Sequence, residues 1–346
     1  MYEKVLTWSY VGLVACFPKR RRIIMKYDNL LDRLSSREVI ILDGAVGTEL
    51  QSLGFPIGAT AWAGIAQHTH PDTVRFMHEQ YIRAGVDIIT TNTYSSARHC
   101  LEPLGLGGLT RELNLRAVVL AQEACSRVAD DRPILIAGSV SNYGILAGSD
   151  EEKLPSRLQY GWSDYTETQC RENLHEQAQI LVDSGVDMLL AEATGSTLNR
   201  RWVIEACKAT GLPTWLGFKA HIDTQNGALM TGHNSKEPFE TGVDTLLSFA
   251  SDVVAVFHTT VEATDLAIPT IKEKWNGPVA VYPDADRHDY VDHHVDASEW
   301  NSHTPEEFVN CARKWVESGV QIIGGCCGFG VEYIRPLREG LPTHVG

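Results

Sequence analysis

Eight short runs rich in β-branched residues, each followed by a turn and a longer helical pattern, constrain the fold of this chain more than any other feature of its sequence. They fall at residues 39–42, 86–90, 134–137, 186–190, 214–218, 253–257, 279–282 and 320–323. Apolar periodicity predicts helices over 71–84, 110–127, 164–184, 199–210, 244–251, 264–274 and 305–318. Three of the junctions repeat a phrase, Gly85-Val86-Asp87, Gly185-Val186-Asp187 and Gly319-Val320-Gln321, which puts glycine where a helix stops and a buried strand begins. Strands apolar on both faces belong to parallel sheets covered by helices. Eight such units in roughly 300 residues predict a single-domain (β/α)8 barrel. The doubly wound alternative lacks a Gly-x-Gly-x-x-Gly after its first strand.

Charge narrows the class of ligand. Forty-four acidic and 30 basic residues give a formal charge of −14, which repels nucleic acid and anionic bilayers and favours a small-molecule ligand. Eight cysteines without a compact spacing read as reduced thiols of a cytoplasmic protein. Residues 1–24 place an apolar run before the basic cluster Lys19-Arg20-Arg21-Arg22, the reverse of a secretory signal and too short to span a bilayer. They are read as an N-terminal extension, with Met25 as an alternative start and residues 25–346 as the barrel. Homo-oligomerisation stays open.

A barrel carries its chemistry at the C-terminal ends of its strands. The first strand runs into Asp43-Gly44-Ala45-Val46-Gly47-Thr48-Glu49, the second into Thr91-Asn92-Thr93-Tyr94, and the fourth into Glu192. The sixth ends at His258, the seventh at Tyr282-Pro283-Asp284, and the eighth at Gly324-Gly325-Cys326-Cys327-Gly328. Neighbouring cysteines on a glycine-rich turn can both face one soft cation such as zinc, whereas a disulfide between them closes a strained ring.

The motifs Asp43-Gly44-x-x-Gly47-Thr48-Glu49-Leu50, Thr91-Asn92-Thr93-Tyr94, Tyr282-Pro283 and Gly324-Gly325-Cys326-Cys327-Gly328 resemble the homocysteine S-methyltransferase family over residues 39–337. The resemblance implies a zinc-dependent (β/α)8 barrel that moves a methyl group from a sulfonium, quaternary ammonium or folate-type donor to the homocysteine thiol, a step of methionine biosynthesis. It further implies that Asp43, Gly44 and Glu192, with Thr91 and Thr93 beside them, hold the amino-acid part of the acceptor. Trp62, Tyr94 and Tyr282 are candidates for a donor pocket, where aromatic faces attract a methyl cation.

At one position the chain departs from the family's zinc ligands. Where an Asn-Cys pair is usual after the sixth strand, it has Phe257-His258-Thr259. His258, Cys326 and Cys327 then form the expected three-ligand zinc site, with a fourth position open to substrate. Imidazole in place of thiolate removes one negative charge, making the metal the stronger Lewis acid. A second departure is Asp284-Ala285-Asp286-Arg287-His288, where Asn-Ser-Gly-Glu is usual after Tyr-Pro. His221, His233, His288, His293, His294 and His303 are further candidates for a metal-capping group. Two other functions stay open: a zinc hydrolase with Glu192 or Asp284 as general base, and a thiol- or metal-binding protein without turnover.

Overall fold

The computed structural model describes residues 25–58, 60–145, 165–194, 196–232, 235–285 and 303–346. Strands β1 (Ile40–Ile41), β2 (Ile88–Thr90), β3 (Leu135–Ser141), β4 (Met188–Glu192) and β5 (Thr214–Phe218) are followed by a two-stranded hairpin of β6 (Ala220–Ile222) and β7 (Leu229–Thr231). The series ends with β8 (Val254–Thr260), β9 (Val279–Asp284) and β10 (Ile322–Ile323). Eight of these form one parallel sheet in the order β1-β10-β9-β8-β5-β4-β3-β2. A parallel bridge between Leu42 and Ile88 joins its two edges, so the sheet closes on itself as the (β/α)8 reading expects.

The period-two alternation of the strands divides the core in two. Ile40, Leu42, Ile88, Leu135, Leu190, Trp215, Phe257, Ala280 and Ile322 point inward and fill the barrel. Val39, Ile41, Ile89, Ile136, Leu189, Leu216 and Val256 point outward onto the helices. Large and small residues interdigitate inside: a Cβ on Gly217 would come within 2.5 Å of the Phe257 ring. Residues 25–35 form a helix whose Tyr27, Leu30 and Leu34 join the interior cluster. The Trp215 indole donates to Tyr27 Oη at 3.0 Å, and Tyr27 donates to Asp252 at 3.1 Å.

The repeated phrase has two jobs. Gly85, Gly185 and Gly319 all take φ between 93° and 100°, the left-handed conformation that ends a helix and that glycine adopts without a Cβ clash. The aspartate that follows caps a neighbouring strand: Asp87 accepts from Ile41 N, and Asp187 from Ile136 N, each at 2.8 Å. Asp87 also pairs with Arg33 at 2.8 Å and with Arg338, tying the first and last helical segments to the barrel floor. In the third copy Gln321 instead donates to Leu34 O at 2.8 Å.

Helix positions follow the sequence reading with one clear exception. The helix Pro71–Ala84 lies where the periodicity put it, and Thr110–Val128, Glu167–Ser184, Thr197–Ala209, Val261–Lys274 and Pro305–Glu317 differ from expectation by three residues or fewer at either end. The helix expected over 244–251 instead spans Phe239–Leu246. Gly242 lies inside this helix, where a Cβ would come within 2.9 Å of Thr231 Oγ1 on the hairpin. Phe239, Val243 and Leu246 give the buried stripe. The hairpin and the closing helix Val331–Gly340 were not anticipated. The N-terminal extension lies outside the described residues.

The Asp87 junction generates a test. Asp87→Asn removes charge-assisted bonds to two arginines while keeping an acceptor for Ile41 N, and is expected to cost about 1.5–3 kcal/mol in urea unfolding. No measurable loss would mean that the rim contacts are dispensable.

Candidate metal centre

The strands continue past their apolar runs, so the polar residues expected on loops sit on the last pleats themselves. Ser139 lies within β3, Glu192 ends β4, His258 lies within β8 and Asp284 ends β9. All of them face one end of the barrel, where the turns after β1 and β10 also meet.

Those two turns are laced by backbone bonds. Gly325 N donates to Asp43 O at 3.1 Å and Ala45 N to Phe329 O at 3.0 Å. Gly328 N donates to Thr48 Oγ1 at 3.0 Å. On the other side Cys326 N donates to Pro283 O at 2.7 Å and Ala285 N to Cys327 O at 2.8 Å. The cysteine turn is thereby clamped between β1 and β9, and neither thiol has to find its position from a free loop. Gly44 owes its identity to this lacing, since a Cβ would lie 2.3 Å from Phe329 O and 3.0 Å from the Tyr81 hydroxyl.

His258 arrives by a backbone kink. The β8 to β9 register slips between Phe257 and Thr260, and His258 has φ 45°, which costs a residue other than glycine of order 1–3 kcal/mol. The kink is held from the junction of β5 and β6: Lys219 Nζ donates to His258 O, and Ala220 N donates to Thr259 Oγ1 at 3.0 Å. A regular strand would alternate His258 toward the helices; the bulge turns it into the barrel mouth.

There it meets the cysteines. His258, Asp284, Cys326 and Cys327 offer one nitrogen, one oxygen and two sulfurs that all lie within 4.8 Å of one another. His258 Nδ1 is 3.2 Å from Cys326 Sγ and 3.7 Å from Asp284 Oδ1. Zinc bond lengths at a tetrahedral angle place nitrogen and sulfur ligands about 3.5 Å apart, so the donor set fits a tetrahedral cation in both chemistry and spacing. Asp284 Oδ1 also accepts from Cys327 N at 3.0 Å.

Electrostatics without a cation point the same way. Burial alone would depress the imidazole, but hydrogen bonds to Asp284 and Cys327 outweigh it and raise His258 to about 9. Burial pushes Asp284 up, yet His258 and Lys219 hold it below the usual carboxylate range. Within the thiol pair, Cys327 is lowered because Cys326 donates to it, and burial together with that neighbour raises Cys326.

Deeper in the mouth lie two buried carboxylates. Asp43 accepts from Thr90 N at 2.6 Å and Thr90 Oγ1 at 2.9 Å, and burial lifts it to about 7 against those bonds. Glu192 accepts from Ser139 and from Tyr282, and burial raises it too. Thr93 donates to Ser139 O at 2.7 Å, so Thr91, 2.8 Å away, donates to Thr93. These threonine protons are spent inside the protein.

Among the candidate aromatic residues, the Tyr94 ring lies 5.0 Å from the His258 ring and 5.7 Å from Tyr143. Tyr282 packs 5.7 Å from Phe257. Trp62 sits over the turn after β1, where a Cβ on Gly47 would come within 1.9 Å of its indole nitrogen. Sequence reasoning missed Tyr143 and Lys219, since neither stands in a motif. Of the additional histidines, His221 Nδ1 lies 2.6 Å from Gly232 O, and His303 packs 6.2 Å from Phe329; neither joins the cluster. His233, His288, His293 and His294 lie outside the described residues.

Comparisons with known proteins bear on the family and the fold. Residues 40–341 match the family model described as homocysteine S-methyltransferase. The chain is 28% identical to a selenocysteine methyltransferase of Astragalus bisulcatus, over 88% of this chain and 92% of that protein. It is 27% identical to betaine–homocysteine S-methyltransferase 1 of Danio rerio, over 92% of this chain and 76% of the relative. The metallated form of the homocysteine methyltransferase MmuM from Escherichia coli has the same fold, with a TM-score of 0.65 at 21% identity over 88% of this chain and 97% of that one.

The lacing of the turns predicts the behaviour of two glycines. Gly44→Ala is expected to destabilise by about 1–3 kcal/mol in urea unfolding, because the Phe329 carbonyl is backbone and cannot step aside. Gly108→Ala, with nothing within 4 Å of its Cβ, is the control expected to stay near wild type. Equal stability of the two variants would show that the turns are not in close contact.

Proposed function

The chain belongs to the homocysteine S-methyltransferase family, and from that premise we propose that it transfers a methyl group from a sulfonium, quaternary ammonium or related donor to the thiol of homocysteine or a similar small thiol, at a zinc ion held by His258, Cys326 and Cys327. The observation that carries the reading is the convergence of one imidazole and two adjacent thiols, from two different strands, within 4.8 Å at the functional end of a barrel. When bound, the metal supplies a Lewis acid that displaces the thiol proton of the acceptor and leaves a sulfur lone pair for attack.

The protein's own groups do the positioning. Asp43 and Glu192 are the proposed partners of the acceptor's ammonium. Both are buried carboxylates raised by desolvation, and a cation between them offsets the cost of ionising them. Ser139 and Tyr282 fix the Glu192 carboxylate so that it does not swing away. Gly44 serves by letting the first and last turns approach, while Thr91 and Thr93 hold the wall behind. Tyr94, with Trp62 and Tyr282, is proposed to present aromatic faces to the donor's cationic methyl. Holding sulfur and methyl about 3 Å apart and in line is worth several kcal/mol of the barrier, and the transfer needs no general base.

The setting is consistent with a small-molecule enzyme. Among the described residues no helix is long and apolar enough to cross a membrane. The proposed location is the cytoplasm, a reading supported by the described cysteines, which are free thiols.

Metal analysis of purified protein tests the centre. Wild type is expected to hold one zinc, and Cys326→Ala and Cys327→Ala each to lose it; stoichiometric zinc in both variants would remove the centre from the reading. His258→Cys is expected to keep zinc, and a variant that binds none would show that His258 is not a ligand. On the wild type, zinc-edge X-ray absorption should show a new zinc–sulfur bond when homocysteine is added, and indifference to the thiol would speak against it as acceptor.

A further inference from the structure

We propose that Tyr143, on the turn after β3, forms with Tyr94 an aromatic corner that holds the cationic head of the methyl donor and selects it over a neutral one. This role rests on the methyltransferase reading above and adds to it a residue that stands in none of the sequence motifs.

The two apolar cores have a prior claim on the other aromatic candidates. Tyr282 belongs to the cluster inside the barrel, and Trp62 packs against the cluster between sheet and helices. Tyr94 and Tyr143 belong to neither, although both are half-buried. Their ring centroids lie 5.7 Å apart with planes inclined by 52°, and Tyr94 lies 5.0 Å from the His258 ring. A line of rings thus leads outward from the metal centre without serving the packing of the fold.

The backbone that carries the outer ring is fixed on every side. The Tyr143 carbonyl accepts from His99 Nε2 at 2.8 Å and from Cys100 Sγ at 3.0 Å, two fully buried groups of the helix Arg98–Leu101. A carbonyl only accepts, so His99 carries its proton on Nε2, and burial lowers this imidazole to about 4, which keeps it neutral. Tyr143 N donates to Ser141 Oγ at 3.1 Å, and that hydroxyl donates to Tyr94 O. Asn142 Oδ1 accepts from Thr194 N at 2.8 Å, and the Thr194 side chain is hydrogen-bonded to the Tyr94 hydroxyl. The two tyrosines therefore hang from one closed circuit of bonds through the ends of β2, β3 and β4. Rings held this firmly lose little freedom when a ligand enters between them.

Charge decides what such a corner takes. Glu192, Cys326 and Cys327 all act electrostatically on the Tyr94 hydroxyl, so the corner lies in an anionic field. The ring faces add the negative potential of their own π systems. A sulfonium or quaternary ammonium head gains from both, and a neutral methyl donor gains from neither.

Calorimetry on the purified protein with three probes tests the corner: glycine betaine, dimethylsulfonioacetate, and 3,3-dimethylbutanoate, which has the shape of betaine with a neutral carbon in place of the charged nitrogen. One of the two cations is expected to bind about tenfold or more tightly than the neutral isostere, and which of them does so tells a quaternary ammonium donor from a sulfonium. Tyr143→Leu is expected to weaken that cation about tenfold and to leave the isostere unchanged, while Tyr143→Phe, which keeps the ring face, stays within about twofold of wild type. Equal weakening of cation and isostere would make Tyr143 a wall of shape alone. No weakening, or a wild type that prefers neither cation to the isostere, would overturn the corner. Should the leucine variant fail to fold, 3,4,5-trifluorophenylalanine at position 143 decides, because it keeps a ring there and withdraws the negative charge from its face. Its cation affinity should fall below that of Tyr143→Phe, and equality of the two would refute the proposal. A protein that binds neither zinc nor homocysteine would defeat the methyltransferase reading itself, whereas intact binding of both with cation affinity indifferent to position 143 defeats the corner alone.

Discussion

Closure of the barrel is the constraint on which the rest of the structure depends. It brings the turn after β1 against the turn after β10, and the contact is so close that Gly44 has no room for a side chain beneath the Phe329 carbonyl. Backbone bonds from Gly325 to Asp43 and from Ala45 to Phe329 then fix the cysteine turn from one side, and bonds to Pro283 and Ala285 fix it from the other. Two residues at opposite ends of the sequence, Asp43 and Cys326, thus share a rigid frame. Under the proposed roles of the two residues the transfer needs that frame, since misplacement of about 1 Å can cost on the order of a hundredfold in rate.

A second element stores energy where the first stores rigidity. His258 reaches the mouth only through a register slip and a left-handed backbone, a conformation of order 1–3 kcal/mol above the strand it interrupts. Lys219 and Ala220, on the neighbouring segment, hold the kink by its carbonyl and by Thr259. The ammonium of Lys219 is buried and therefore disfavoured, yet it lies among the anions of the cluster. One residue thus shapes the backbone and balances the charge.

Much of this was legible in the sequence, and for identifiable reasons. The strands could be counted because those of a parallel barrel are apolar on both faces, and Gly85, Gly185 and Gly319 marked their starts by a backbone requirement that no other residue meets as easily. Cys326, Cys327 and His258 stood out in the sequence because each ended an apolar run, and their side chains converge in the structure. Asp284 stood in the sequence as a general-base candidate, and only the kink at His258, which periodicity cannot reveal, brings the imidazole within 3.7 Å of it. The helix expected over 244–251 lies instead at Phe239–Leu246, where Gly242 packs closely against Thr231 of a hairpin that periodicity did not show. Lys219 and Tyr143 were silent for a similar reason: their partners, His258 and Tyr94, are distant in sequence.

The exchange of cysteine for histidine is informative about how such a centre tolerates change. On an undistorted strand end the His258 side chain would point toward the helices and away from the cysteines. The bulge moves the backbone, and the ring packs between Phe257 at 4.8 Å and Tyr94 at 5.0 Å, which brings Nδ1 and not Nε2 nearest the sulfur. The adjacent strand end places the Asp284 carboxylate 3.7 Å from that nitrogen. The position of the imidazole is therefore set by the kink of β8, and its charged neighbour comes from the end of β9. A histidine in this place depends on groups from several strands, and the backbone bonds that lace the turns together keep those groups in register.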